Sequence, residues 1–335
     1  MTGRERVLAA IDGRATDHLP LMPITMMFAA DTAGVRYREY ASDCGVLADA
    51  QIRTAEKFGF DYVSAISDPA REASDLGGAI EWFDDQPPAI IESRALLQDK
   101  STLLKMQAPD PSQGRMADRV HAIELLATRV GSEKIVEGWV EGPCAMAADL
   151  RGLNTLMLDF FDDPGFVTDL FEFVTCMELQ FAQAQVKAGA VLIGVGDAAA
   201  SLIGPKLYHQ YVFPYERRLV QGIRDMGPKA RLHICGNTRK LFSDMGRLGA
   251  DIVDLDSMAP IGEAREAMGP GQLLLGNIDP VRVLRDSDAD SVRRAIAECH
   301  RAAGKRYIVG AGCEVPRGTP HENVRAMVSY AQEHR

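Results

Sequence analysis

Short apolar runs of β type recur along this chain, and stretches with helical spacing of apolar residues lie between them. The runs fall at residues 20–26 (PLMPITM), 61–66 (DYVSAI), 135–140 (IVEGWV) and 191–196 (VLIGVG). Four more follow at 230–235 (ARLHIC), 251–256 (DIVDLD), 272–277 (QLLLGN) and 306–312 (RYIVGAG). Amphipathic stretches stand at 46–58, 164–187, 206–226, 238–248, 291–303 and 322–334. Strand runs alternating with helices predict parallel βαβ units. Eight such units favour closure into a (β/α)8 TIM barrel, with a doubly wound open sheet as the rival α/β architecture. Residues 1–18 read as a helix ahead of the first run, and residues 79–93 (AIEWFDDQPPAIIES) as a hairpin inserted on the mouth side of the second. No repeat or long Pro/Gly/Ser linker divides the chain, so residues 1–335 are expected to form one domain.

Composition changes this picture in three ways. Apolar residues make up 46% of the chain, enough for a large core. The net charge of −10 and the absence of a basic run argue against a nucleic-acid partner, whose phosphates need clustered Lys and Arg. No apolar run reaches the ~20 residues of a membrane span, and the N-terminus lacks the apolar core of a signal peptide. A cytoplasmic location is therefore expected, where the six cysteines stay reduced and serve as thiols or metal ligands rather than disulfides.

Barrel chemistry sits at the C-terminal ends of the strands, and this chain places polar residues there. They are Asp68, Glu141, Asp197, Asp256, Asn277, Asp279, Cys313 and Glu314, with His233 and Cys235 on the fifth run. His233 and Cys235 are two apart, so a strand puts both on one face. Cys313, at the end of the last run, can lean over the same mouth. One imidazole and two thiolates suit zinc, and three protein ligands leave a position open, as in catalytic sites. A lone His-x-Cys is ordinarily core packing; the third ligand at another strand end favours the metal. Asp68, Asp197 and Asp256 each read equally well as helix N-caps.

Two segments carry a family likeness: HICGNTRKLFSDMGRLGADIVDLD (233–256), and LLLGNIDPVRVL with YIVGAGCEVPRGTPHENVRAM (273–284 and 307–327). GRERVLAAIDGRATDHLPLMP (3–23) and SDPAREASDLGG (67–78) extend it over nearly the whole chain. The sequence resembles the uroporphyrinogen decarboxylase superfamily, and within it the cobalamin-dependent methyltransferase branch. The resemblance implies one zinc held by His233, Cys235 and Cys313. It also implies an acid, Asp256, able to contact that zinc. For Asp256 the metal-side role is favoured over a helix cap, because Ser257 to Pro260 separate it from the next helix. The decarboxylases of the superfamily carry arginines in the first strand–loop segment to hold a many-carboxylate tetrapyrrole; residues 20–34 here contain no Arg or Lys.

The implied function is zinc-dependent methyl transfer between a corrinoid, carried by a separate corrinoid-binding protein, and a small-molecule acceptor. Tetrahydrofolate is the expected acceptor, because 28 of the 37 basic residues are Arg, a usage typical of G+C-rich bacterial genomes. Coenzyme M as acceptor, and demethylation of a substrate in the reverse direction, are the alternatives. Asp256, Asp68 and Glu141 are the expected acids of the reaction, and Asp197, Asn277 and Asp279 the expected substrate contacts. A homodimer is compatible with this reading.

Overall fold

A computed structural model describes residues 1–335. In chain order its strands are β1 (Tyr62–Ser64), β2 (Ile80–Glu81), β3 (Ala89–Ile90), β4 (Ile135–Glu141) and β5 (Leu192–Gly196). They continue with β6 (Lys229–Ile234), β7 (Ile252–Leu255), β8 (Leu273–Leu275) and β9 (Tyr307–Ile308). Seven form one parallel sheet in the order β1-β4-β5-β6-β7-β8-β9. The other two, β2 and β3, make the expected antiparallel hairpin, with Ile80 opposite Ile90.

The first apolar run does not become a ladder strand. Leu21 makes a single parallel bridge to Val309. Around it, Val309 N donates to Pro20 O at 2.8 Å, Met22 N to Val309 O at 3.0 Å and Asp61 N to Leu21 O at 3.1 Å. Residues 20–22 thus reach both edges of the sheet, at β9 and ahead of β1. Pro20 and Pro23 explain why the run stops at a bridge, since neither has an N–H for a ladder. The architecture is TIM-barrel-like α/β, with an irregular segment where an eighth regular strand was expected.

Alternation sorts each strand into an inner and an outer face. Tyr62, Ile135, Leu192, Ile252, Leu273 and Ile308 form one buried cluster inside the sheet. Val7, Ala10 and Ile11 of helix Gly3–Ile11 join that cluster, so the N-terminal helix plugs the bottom of the fold. Each such buried aliphatic side chain contributes about 1.5–3 kcal/mol relative to exposure. The outer faces pack against helices that include Cys44–Phe58, Gly114–Val130, Pro164–Lys187, Ala289–Ala303 and His321–Glu333. The helix expected at 206–226 is broken by a wide turn at Tyr208–Val212, and that at 238–248 shrinks to the turns Arg239–Leu241 and Phe242–Met245. No helix is long and apolar enough to cross a membrane.

Candidate metal centre at the barrel mouth

The inner face of β6 reads Arg231, His233 and then Cys235 just past the strand. His233 is 4% exposed, and its Nε2 lies 3.1 Å from Cys235 Sγ. Cys313, beyond β9, completes the group: one ligand atom from each of the three residues lies within 4.8 Å of the others. Ligands of one tetrahedral zinc stand about 3.5–3.8 Å apart, given Zn–S near 2.3 Å and Zn–N near 2.0 Å. Two sulfurs and one imidazole nitrogen at this spacing are a donor set that fits zinc. Just before Cys313, a Cβ on Gly312 would meet the Ser257 backbone nitrogen at 2.2 Å, so only glycine allows the loop after β7 to approach the chain there.

The protons of the three groups are shared. The Cys313 thiol is held down to about 5, chiefly by its hydrogen bond with Cys235, with His233 adding to the effect. The same hydrogen bond, with burial, pushes Cys235 up. Burial alone would lower His233, but Asp254 and Cys235 outweigh it and raise the imidazole well above its usual value. A site that favours a thiolate beside an imidazolium is one whose protons a divalent cation readily replaces.

Beneath the triad lies a buried ion network. Arg231 gives Nη2 to Asp254 at 2.7 Å and Nη1 to Glu137 at 3.1 Å, all three at 1% exposure or less. Asp254 Oδ2 also stands 3.0 Å from His233 Nδ1. That contact is at ion-pair distance, although its angle is not that of a hydrogen bond. A carboxylate behind Nδ1 turns Nε2 toward the ligand position, as outer-shell carboxylates do for metal-bound histidines. Burial raises Glu137, with Arg231 opposing; for Asp254 burial is outweighed by Arg231 and His233, and its pKa falls. Sequence reading missed Asp254, Arg231 and Glu137. The signal was present: each is a charged residue in mid-strand with apolar neighbours, a place where charge persists only when paired.

The predicted acids fare differently. Asp256 ends the inner face of β7. The register pairs His233 with Asp254, and its continuation sets Asp256 beside Cys235. Its Oδ1 accepts Met258 N at 2.8 Å, an Asx turn within its own loop, while helix Ile261–Met268 begins without a side-chain cap. Asp256 is thus neither that helix's cap nor part of the three-atom ligand group. Glu141 ends β4 on the inner side and is 6% exposed; burial and neighbouring Glu72 push its carboxyl well above the ordinary range.

Asp68 is at the mouth, but both its oxygens are engaged. Arg115 holds it through Nη1 at 2.9 Å and Nη2 at 2.6 Å, and Ser67 Oγ lies 2.8 Å away. Asp197 points away from the mouth, because it follows inward-facing Gly196 by one position. It accepts Ala145 N at 2.6 Å and Cys144 N at 3.2 Å, which ties β5 to the start of helix Pro143–Arg151. Burial lifts it to about 6, against its hydrogen bonds with Glu216 and those amides. Asn277 gives Nδ2 to Asp256 O at 2.9 Å and to Ala259 O at 2.5 Å. Asp279 caps the next turn through Val281 N and Arg282 N. The residues expected to contact substrate at 197, 277 and 279 are instead spent on backbone.

A family model described as Uroporphyrinogen decarboxylase (URO-D) matches residues 2–334. A methylcobamide:CoM methyltransferase (MtbA) of Methanosarcina mazei is 28% identical, covering 100% of this chain and 98% of the relative. A uroporphyrinogen decarboxylase of Microcystis aeruginosa is 25% identical over 89% of this chain and 85% of its own. A solved methyltransferase from Methanosarcina mazei superposes with a TM-score of 0.85, at 22% identity and 99% coverage of both chains.

Proposed function

The chain belongs to the uroporphyrinogen decarboxylase (URO-D) family, and from that premise we propose that it is a zinc-dependent methyltransferase that moves a methyl group from a corrinoid on a partner protein to a small thiol. One observation carries the reading: His233 and Cys235 at the end of one strand and Cys313, distant in the chain, bring three ligand atoms within 4.8 Å at the mouth. The relatives' names point to a thiol, coenzyme M in their case. That favours a thiol over the tetrahydrofolate suggested by Arg usage. Residues 20–34 lack the basic side chains a many-carboxylate tetrapyrrole needs, which argues against decarboxylation.

His233 Nε2, Cys235 Sγ and Cys313 Sγ would hold the zinc. Zinc there would lower the pKa of a bound thiol, making it a thiolate at neutral pH. The chain's own residues do the rest. Asp254, gripped by Arg231, keeps His233 turned to the mouth. Asp256, beside Cys235 with Oδ2 free, takes the proton that the acceptor thiol must lose. A docked methylcorrinoid would supply the methyl group: the acceptor sulfur would bond to the methyl carbon as the carbon–cobalt bond broke, that bond's electron pair staying with cobalt. Asp68, bound to Arg115, positions the mouth rather than moving a proton.

Zinc-loaded protein, methylcobalamin and 2-mercaptoethanol, a small thiol with an uncharged end, provide the test. The methylcobalamin absorbance should disappear as an equal amount of methyl thioether forms. Release of carbon dioxide from uroporphyrinogen, with methylcobalamin left intact, would overturn the reading.

A further inference from the structure

On the β1 and β4 side of the mouth, four carboxyl groups gather around one guanidinium. Glu72, Glu141, Asp149 and Glu178 lie near enough to influence one another, and Arg71 is the cation among them. Arg71 is fully buried and gives Nη2 to Glu72 at 2.5 Å. Its Nε and Nη1 have no partner, nor do Glu72 Oε2, Asp149 Oδ2 or either oxygen of Glu178. A cavity of about 340 Å³ opens beside this cluster, lined by Glu141, Asp149 and Glu92 and by no Lys or Arg. Its other walls are apolar, among them Ala145, Leu153 and Leu202.

The cavity neighbours the metal centre. Glu141 pairs in register with Gly196, and Gly196 with His233, so the two functional side chains stand two strands apart, about 10 Å between backbones. Gly196 puts no side chain between them. The Trp139 indole packs over Gly196 at this point, since a Cβ there would meet its ring at 2.8 Å.

The acids do not converge as a second metal site: only His233, Cys235 and Cys313 bring three ligand atoms together. A cavity of this size with apolar walls suits a small organic molecule. What the cluster lacks is a second positive charge. Burial, with Glu72 as neighbour, pushes the Glu141 and Asp149 carboxyls well above the ordinary carboxylate range. A cation in the cavity would favour the charged form of these carboxyls, and its N–H groups would satisfy Asp149 Oδ2, which lines the cavity and now has no donor.

Resting on the methyl-transfer reading above, we propose that the acceptor carries a primary ammonium group, held by Glu141 and Asp149 in this cavity while its thiol reaches the triad. An acceptor ending in an anion, such as the sulfonate of coenzyme M, meets only carboxyls there.

Three two-carbon thiols that differ only in their far end test this: cysteamine, 2-mercaptoethanol and coenzyme M. Calorimetric titration of the zinc-loaded protein reads binding without any methyl donor. Cysteamine should bind about tenfold tighter than 2-mercaptoethanol, the size of one hydrogen bond to a charged group, and coenzyme M should bind weakest. Glu141→Gln should erase the advantage of cysteamine over 2-mercaptoethanol. Asp149→Asn serves as a second variant should the first fail to fold. Coenzyme M binding as tightly as cysteamine, or a cysteamine advantage that survives both substitutions, overturns the proposal. If none of the thiols binds, the thiol-acceptor reading fails instead. Ethylammonium against ethanesulfonate in the same titration then decides the charge preference of the cavity by itself.

Discussion

The two sides of the barrel mouth bury charge in opposite ways. Below the triad, Arg231 stands between Glu137 and Asp254, and Asp254 also faces His233. Toward β1 and β4, Arg71 is alone among four carboxyls, and several polar atoms have no partner. Breaking a buried pair costs about 3–5 kcal/mol, so the matched network behaves as one rigid unit. The unmatched cluster bears a cost that a ligand could remove. Charge balance therefore separates the part of the mouth that holds a site from the part that receives a molecule.

The largest effect should come from the matched side's ligands. Cys235→Ala and Cys313→Ala should each lower bound zinc from about one equivalent toward none and abolish methyl transfer, with the fold intact by circular dichroism. Full zinc in both variants, by elemental analysis, would remove the triad from the chemistry.

Asp254→Asn attacks the support rather than the ligands. Zinc affinity, read by competition with a chromophoric chelator, should fall about 10–100-fold. Stability should fall by about 3 kcal/mol in urea unfolding, because Arg231 keeps only Glu137 as a counter-charge. Unchanged zinc affinity would mean that His233 needs no carboxylate behind it.

Asp256→Asn should leave zinc content unchanged, since the three ligands remain. It should slow methyl transfer about tenfold or more by removing the proton acceptor, an effect typical of single electrostatic groups at active sites. Asn still makes the turn to Met258 N, so the variant tests the free oxygen. Wild-type rates would take Asp256 out of the mechanism.

The smallest effect belongs to the unmatched side and shows as a pH slope. Glu141 has its folded pKa raised above the ordinary 4.5 by burial and Glu72. The folded state then holds a proton that the unfolded state has lost. Its contribution to stability is complete below 4.5 and lost as pH rises from there toward the folded value. Glu141→Gln, permanently neutral, should flatten this decline by about 1 kcal/mol, measured as urea midpoints from about pH 5 to pH 8. An identical slope in both proteins would show that Glu141 is not held protonated.

Much of this mouth could be read from the chain. Seven of the eight apolar runs became sheet strands and the hairpin formed where its residues predicted, while the N-terminal helix expected over 1–18 covers only Gly3–Ile11. The first run misled because its apolar pattern outweighed Pro20 and Pro23, which deny it ladder donors. Asp197, Asn277 and Asp279 were chosen as polar residues at strand ends, a criterion that cannot tell a mouth-facing group from one that ties down a loop. Mid-strand Glu137, Arg231 and Asp254 were overlooked for the opposite reason, although charge inside an apolar strand demands a partner.

By itself, the sequence determined which three residues could serve as metal ligands and the shared face of His233 and Cys235. Both are local properties, set by residue chemistry and the two-residue period of a strand. Only the tertiary structure decided which face turned inward and what stood behind each charge. Glu137 meets Arg231 across 94 residues of chain, and no local pattern encodes a partner that far away. Wrapping the strands around a common interior makes such meetings, and so it also decided that one side of the mouth would be matched and the other left short of a cation.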